Sequence, residues 1–364
     1  MRIAMLPCFL QLSHMSVAND ANRYYSTHME RNGIMCGGAW CVDHNFTIDH
    51  WPDEETLAEI LSERLHGGCP GHNMSTALKR LGAPFPVEAI GLLGDDADGH
   101  FLADICDDMG IGRSALEMRG SVKTARTLAM TVKPTGKRTF FYSGGAHSAQ
   151  TPDDFDFTTT RARIVHLGLP GLHEKLDAPW KDDISGWVTV LKKAQAAGIK
   201  ANIELVSVAP EIIRAAALPM LPWLDTLIIN DFEAGALVNM ETVKNGVADA
   251  TACRAAAERI METTKLSLVA IHFPKGGVAM NRSGEVVEQP SVDVPQSEVV
   301  GSNGAGDCFA AGMLFGHHEG WALQQSLKLA HASSASSLLS ATTTESVLPW
   351  KDCLALAEKW GWRR

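Results

Sequence analysis

The chain predicts an α/β fold in which a mainly parallel sheet lies between layers of helices. Three observations carry this expectation. From residue 164 to about residue 280, short apolar runs alternate with stretches of helical period, the rhythm of right-handed βαβ units. A content of 45% hydrophobic and 20% charged residues over 364 positions is ordinary for a globular enzyme and sufficient to bury one large sheet. A glycine-rich stretch, GSNGAGDCFAAGML over 301–314, turns directly into a small-residue helix, and backbone N–H groups at such a helix start form an anion site. No repeat, low-complexity tract or linker divides the chain into two equal domains.

Taken in order, residues 1–33 are mixed and without periodicity and read as a flexible N-terminal extension. Arg2 and the short apolar run behind it resemble a signal peptide only faintly, because Pro7 interrupts the run and no small-residue cleavage site follows. Met15, Met29 and Met35 are alternative starts. IMCGGAWCVDHNFTID, from Ile34, reads as one buried strand ending in a carboxylate at Asp43. Asp43 is either a strand-end turn residue or, since ligands bind beyond the carboxyl ends of strands, a binding group.

EETLAEILSERL then suits a short helix or a lid segment. Gly67, Gly68 and Gly71 read as a loop, and Asn73 as the opening of a helix with Met74, Ala77, Leu78 and Leu81 on one side and Gly82 as its stop. Asn73 is an N-cap in one reading and an amide reaching a polar ligand in the other. A strand, a turn at 94–99 and a helix follow; Asp95, Asp96 and Asp98 there read as a solvated turn rather than a metal site. TARTLAMTVKPTGKRTFFYSGGAHSAQ reads as a hairpin turning at 134–136, with Lys137 and Arg138 facing solvent, and hairpins within α/β chains often cover a site. Beyond it, strands are expected over 164–169 and 201–206, helices over 184–197 and 211–217, a strand ending at Asn230 with Glu233 three residues on, a helix over 251–264, and a strand with a glycine turn in SLVAIHFPKGGVAM.

The motifs narrow the chemistry. Gly304, Ala305 and Gly306 would let backbone close on a phosphate, and Asp307 places a carboxylate where that anion would lie. Accepting the proton of a hydroxyl that attacks the phosphate is a role for such a group. The helix start should stabilise its anion, so Asp307 is expected to be a weak base. NDFE at a strand end either caps a helix, with Glu233 completing a capping box, or holds the water shell of Mg²⁺. No P-loop, dinucleotide fingerprint or nucleophile elbow occurs. The net charge of −10 argues against a nucleic-acid binder but allows ATP, because local dipoles and Mg²⁺ can outweigh it. Eight scattered cysteines suggest free thiols in a reducing cytosol, and no apolar run reaches membrane-spanning length.

On these residues, from Ile34 to Arg364, the chain resembles the ribokinase-like (PfkB) carbohydrate kinases. GSNGAGDCFAAGML and GGCPGHNMSTALKRLG match the two signatures of that family, and the order of Asp43, glycine loop, hairpin, NDFE and GAGD is the family's order. The resemblance implies a three-layer α/β/α kinase domain over 34–364 with a small β lid, from segments near 44–66 and 119–146, and cytoplasmic location. It implies a sugar, sugar acid or nucleoside held by Asp43, Gly67, Gly68 and Asn73, with Asp307 as base and Gly304, Ala305 and Gly306 as anion hole. It assigns Asn230 and Glu233 to Mg²⁺ through water, and Asn230, His272, Lys275, Gly277 and His331 to ATP. Gly301 stands where many members carry an aspartate, which puts monovalent-cation activation in question. Pro274 replaces a common glycine, Cys69-Pro70 lengthens the glycine loop, and NIELVS over 202–207 lacks the D-x-N-x-R pattern of some sugar kinases, so substrate choice is not inherited. Trp51, Phe140, Phe141 and Tyr142 fall in the lid segments, where sugar stacking and lid packing are both open. Homodimerisation through exposed lid edges is a further expectation. Against the kinase stand a ribokinase-fold regulator that binds without turnover and, lacking its fingerprint, a nicotinamide-dependent oxidoreductase.

Overall fold

The computed structural model describes residues 30–364. The expected extension over 1–33 lies almost wholly outside them. The chain begins with β1 (Ile34–Gly38), β2 (Cys41–Ile48), β3 (Ile60–Gly68), α1 (Cys69–Arg80), β4 (Val87–Gly94), α2 (Ala97–Asp108) and β5 (Gly112–Arg119). Next come the hairpin β6 (Ala125–Val132) and β7 (Arg138–Ser143), the short α3 (Ala146–Ala149), β8 (Ile164–Gly168) and α4 (Glu174–Asp177). α5 (Gly186–Ala196), β9 (Lys200–Ile203), α6 (Pro210–Ala217), β10 (Thr226–Asn230) and α7 (Asp231–Val238) continue the alternation. A small hairpin, β11 (Val243–Lys244) and β12 (Val247–Ala248), precedes α8 (Ala250–Thr263), β13 (Leu268–Phe273), β14 (Gly276–Asn281) and β15 (Val286–Pro290). Three helices close the chain: α9 (Ala305–His318), α10 (Leu323–Ser337) and α11 (Trp350–Trp360).

Nine strands form the main sheet in the order β15-β14-β13-β10-β9-β8-β1-β4-β5. It is parallel from β13 to β5, and β14 and β15 add an antiparallel edge. β1 is buried throughout because helices cover both faces of the sheet, which is why it reads as an unbroken apolar run. One face packs Met74, Leu78, Phe309, Leu314 and Leu327 from α1, α9 and α10; the other packs Trp187, Leu191, Ala257 and Ile260 from α5 and α8. The connections run outward in opposite directions from β1 and β8, so a crevice opens at the carboxyl ends of these two neighbours.

Besides the two-stranded β11–β12 pair, a smaller sheet has four strands in the order β3-β2-β6-β7. β2 pairs parallel with β6 and antiparallel with β3, and β6 pairs antiparallel with β7. Its side chains are largely exposed: Phe140 is 61% accessible, and Trp51 stacks on Phe141 rather than entering the main core.

Three expectations need correction here. The single strand expected from Ile34 is two, broken at Ala39 and Trp40; Trp40 is fully buried, its indole N–H donates to the Ile90 carbonyl, and the chain leaves the main sheet for the small one. Asp43 therefore sits on a strand of the small sheet. Of the two readings of EETLAEILSERL, the helix does not form: its second half is in strand β3 of the small sheet. There is also no glycine loop: β3 runs straight into α1, with Gly68 as N-cap and Cys69-Pro70 as its first turn. Asn73 is consequently inside the helix and caps nothing. The turn expected over 94–99 is shorter, Asp95 and Asp96 only: Asp96 caps α2 through the Gly99 N–H, and Asp98 already lies in that helix, bonded to His44.

Candidate active site

α9 opens at Gly304, whose φ of +73° is a left-handed conformation that other side chains rarely adopt. A Cβ there would stand 2.6 Å from the Thr343 carbonyl oxygen. The first N–H groups of α9 have no partner within the helix, and Ala305 and Gly306 line a cleft. Asp307 lies in this first turn. Its Oδ2 accepts a hydrogen bond from Asn73 Nδ2 at 2.9 Å, which joins α1 to α9, while its Oδ1 is enclosed without a partner. Asn73, 5% exposed, is no cap: its amide nitrogen is engaged with Asp307 and its oxygen meets His72 Nδ1 at 3.0 Å.

The expected weak base is contradicted. The Asp307 carboxyl is held well above the usual carboxylate range, first by burial and then by the neighbouring Glu204, against smaller opposing effects of Asn73 and His166. Desolvation and a like charge outweigh the helix N-terminus. Glu204, just past the end of β9, is itself pushed up to about 7 by burial. His166, on the central strand β8, bonds Glu204 Oε2 through Nε2 at 3.2 Å.

On the small-sheet side, Asp43 is half-buried and its carboxyl is raised by desolvation, partly offset by a hydrogen bond from Thr127. A Cβ on Gly68 would stand 2.8 Å from Asp43 Oδ2, so the absence of a side chain leaves that carboxylate open. Gly67 points the other way, onto the buried ring of His72. Cys69, at the helix start, brings its sulfur to 3.1 Å from that of Cys41, both free thiols.

At the end of β10, Asn230 caps α7: its Oδ1 accepts from the Glu233 N–H at 2.8 Å, and Glu233 Oε2 accepts from the Asn230 N–H at 3.1 Å. The capping box is therefore real. It is also braced, because Ser207 accepts from Asn230 Nδ2 and donates to Glu233 Oε1. Both Glu233 oxygens are engaged, which suits holding a hydrated cation through water rather than direct ligation.

Between α7, β13 and the start of α9 lies a cleft of about 580 Å³ lined by Asn230, His272, Ala305, Gly306, Phe309 and His331 among others. Such a volume holds a nucleotide-sized ligand. Phe309 is its floor, with the His272 ring at 4.8 Å and the His331 ring edge-on at 5.0 Å. Burial lowers both imidazoles, to about 4 for His272 and about 3 for His331, so they are neutral, and His331 Nε2 is enclosed without a partner. A Cβ on Gly277 would lie 3.1 Å from that nitrogen. Lys275 and Gly277 both line a separate depression of about 180 Å³, with Gly276 and Gln289. Gly301 packs on the 338–341 turn, where a Cβ would meet the Ser340 carbonyl at 2.9 Å.

The sequence reading missed Ser207, Glu204 and His166. NIELVS was read only for the pattern it lacks, although a glutamate at a strand's carboxyl end was the available signal. For His166, inside an apolar strand, there was none.

The profile of the pfkB family carbohydrate kinases matches residues 33–351. Ribokinase of Arabidopsis thaliana is 24% identical over 339 residues, 90% of this chain and 82% of that protein. Nucleoside kinase of Methanocaldococcus jannaschii is 23% identical over 332 residues, 90% of this chain and 97% of its own length. The structure of Arabidopsis thaliana ribokinase complexed with ribose and ATP superposes with a TM-score of 0.73 at 20% identity, covering 91% of this chain and 99% of that one. A match spanning nearly the whole described chain, on a three-layer fold with this site at its crevice, makes the protein a member of the pfkB family of carbohydrate kinases.

Proposed function

We propose that the protein transfers the γ-phosphoryl group of ATP to a hydroxyl of a small uncharged sugar or nucleoside. The observation that carries this reading is Asp307: a carboxylate in the first turn of a helix whose N–H groups form an anion hole, tied by Asn73 to the helix that follows Gly68, and flanked by a nucleotide-sized cleft. Asp43 and the backbone around Gly67 and Gly68 take substrate hydroxyls. Gly304, Ala305 and Gly306 stabilise charge on the transferred group as it develops, worth roughly 3 kcal/mol per well-placed donor. Asp307 orients the attacking hydroxyl and takes its proton. Asn230, His272, Gly277 and His331 place the nucleotide.

Magnesium would be held through its waters by Asn230 and Glu233, where it supplies positive charge to the phosphates. Ser207 fixes both residues, so Ser207→Ala should raise the magnesium concentration for half-maximal activity about three- to tenfold, the loss of one or two hydrogen bonds. A magnesium titration of the two proteins checks it.

The acids on the substrate side argue against a sugar acid. The strongest influences on Asp43, Asp307 and Glu204 come from burial, thiols, hydroxyls, amides, histidines and one another, with no lysine or arginine among them. A carboxylate ligand would enter an already negative site. ADP release from Mg-ATP, measured over a panel of neutral sugars, sugar acids and nucleosides, tests the whole reading. Turnover with a neutral acceptor is expected. Sugar binding with no ADP release from any acceptor would instead favour a non-catalytic binder.

The small sheet covers the substrate side as a lid in this reading. Its edge strand β7 is exposed along its whole length and carries Phe140, Phe141 and Tyr142. Such an edge invites a second copy, and light scattering on a sizing column should give twice the 39.2 kDa chain mass.

A further inference from the structure

Behind Asp307 runs a chain of polar side chains that this reaction scheme leaves unused. The Thr226 hydroxyl donates to Asn202 Oδ1 at 3.0 Å, and Asn202 Nδ2 donates to His166 Nδ1 at 2.9 Å. Thr226 is 1% exposed, and Asn202 and His166 are fully buried, so none of these bonds is shared with solvent. The orientation of the amide fixes the tautomer: Nδ1 accepts, and Nε2 carries the proton and donates to Glu204 Oε2. The chain therefore ends in an N–H aimed at a carboxyl group.

Glu204 in turn stands close enough to Asp307 to hydrogen-bond it. Two ionised carboxylates cannot do so, because neither has a hydrogen to offer. Asp307 Oδ1 is enclosed with no donor, a costly arrangement that a proton between the two acids removes.

We propose that Asp307 and Glu204 work as one acid–base pair holding a single proton at rest, with His166 as the positioning residue that orients Glu204. This rests on the kinase reading above. Asn73 donates to Asp307 and stabilises its anion, so the form that reacts is the one in which the shared proton has moved to Glu204 and left the negative charge on Asp307. When the substrate oxygen bonds to the γ-phosphorus, its O–H bond breaks and that proton passes to Asp307. The bond from phosphorus to the leaving oxygen breaks with its electron pair, which departs on ADP. The pair is then neutral with two protons, and Glu204, whose side chain keeps 23% of its surface accessible, returns one of them to water.

The surroundings suit a shared proton. Burial and mutual repulsion raise both acids. Glu233, on α7, adds a further negative charge toward Glu204. His166 is lowered to about 4 by burial and stays neutral, so it offers a hydrogen bond without a counter-charge. Cys308, beside Asp307 on α9, is pushed up by burial and remains a thiol. Paired acids of this kind titrate in two steps that belong to the pair.

Two measurements on the full-length protein test this. In the first, infrared difference spectra at pH 7 should show a protonated carboxyl in the wild type that is lost in both Glu204→Gln and Asp307→Asn. In the second, the pH profile of kcat/KM for the wild type should be bell-shaped. Glu204→Gln should lose the alkaline limb, move the acid limb at least one unit lower, and turn over about tenfold more slowly at pH 7. The acid limb moves down because the neutral amide no longer repels the charge on Asp307. A merely structural Glu204 would lower kcat and the melting temperature together and leave both limbs in place, which overturns the proposal. So does the absence of the carboxyl band. A band that depends on both residues, in a protein that turns over no acceptor, would uphold the pair and sink the kinase reading instead.

Discussion

Asp307→Asn should lower kcat by about a thousandfold while changing the Kd for Mg-ATP by less than about threefold, within the range general-base removal produces elsewhere. The substitution keeps the shape of the side chain and an oxygen able to accept from Asn73, so the tie between α1 and α9 survives. What it removes is the capacity to take a proton. The same variant should be more stable than the wild type at neutral pH, and the sign follows from linkage. The folded-state carboxyl is raised above its ordinary 3.8, so the folded protein binds a proton that the unfolded chain has released. The stability it contributes is present below that ordinary value and is lost as pH rises through the folded-state value. The stabilisation given by asparagine should therefore grow from pH 4 upward, measured as the difference in melting temperature. Near-normal turnover in this variant would remove Asp307 from the chemistry.

How much of this was legible in the sequence depended on how local the cause was. The α/β class and most helix bounds followed from periodicity, because each buried strand and amphipathic helix states its own environment. The helix start at Gly304, with Asp307 in its first turn, was legible because it depends on the backbone conformation of its own turn. Asp43 was singled out in the sequence but misplaced in the fold: nothing in IMCGGAWCVDHNFTID reveals that Trp40, by burying against Ile90 and Gly71, ends one sheet and starts another. Asn73 failed in the same way, since an asparagine after glycines reads as a cap until Pro70 is seen to start the helix. The basicity of Asp307 was wrong because its causes, burial first and then Glu204, are set by the tertiary fold; Glu204 lies 103 positions away in sequence (307 minus 204). Lys275 and Gly277, two positions apart, both line the smaller depression beside the cleft, and only Gly277 approaches His331.

Gly304→Ala should reduce kcat by about a hundredfold or more and lower the melting temperature by several degrees. Two causes act together and can be separated. The backbone conformation at φ +73° costs a Cβ-bearing residue about 1–2 kcal/mol. The added methyl would also lie 2.6 Å from the Thr343 oxygen and 2.7 Å from its Cβ, so either the loop around Thr343 or the start of α9 has to move. A shift of a few tenths of an ångström at this helix start misdirects the N–H groups that must meet the transferred phosphoryl group, and a misplaced donor of that kind costs about 10²–10³ in turnover. Gly320 supplies the control. It has nearly the same backbone conformation, φ +69°, but a Cβ there meets nothing within 4 Å. Gly320→Ala should therefore show the stability loss due to backbone strain alone, with turnover unchanged when assayed well below its melting temperature. If Gly304→Ala matched it in both respects, backbone strain would be the whole effect, and the start of α9 would lose its role in holding the phosphoryl group.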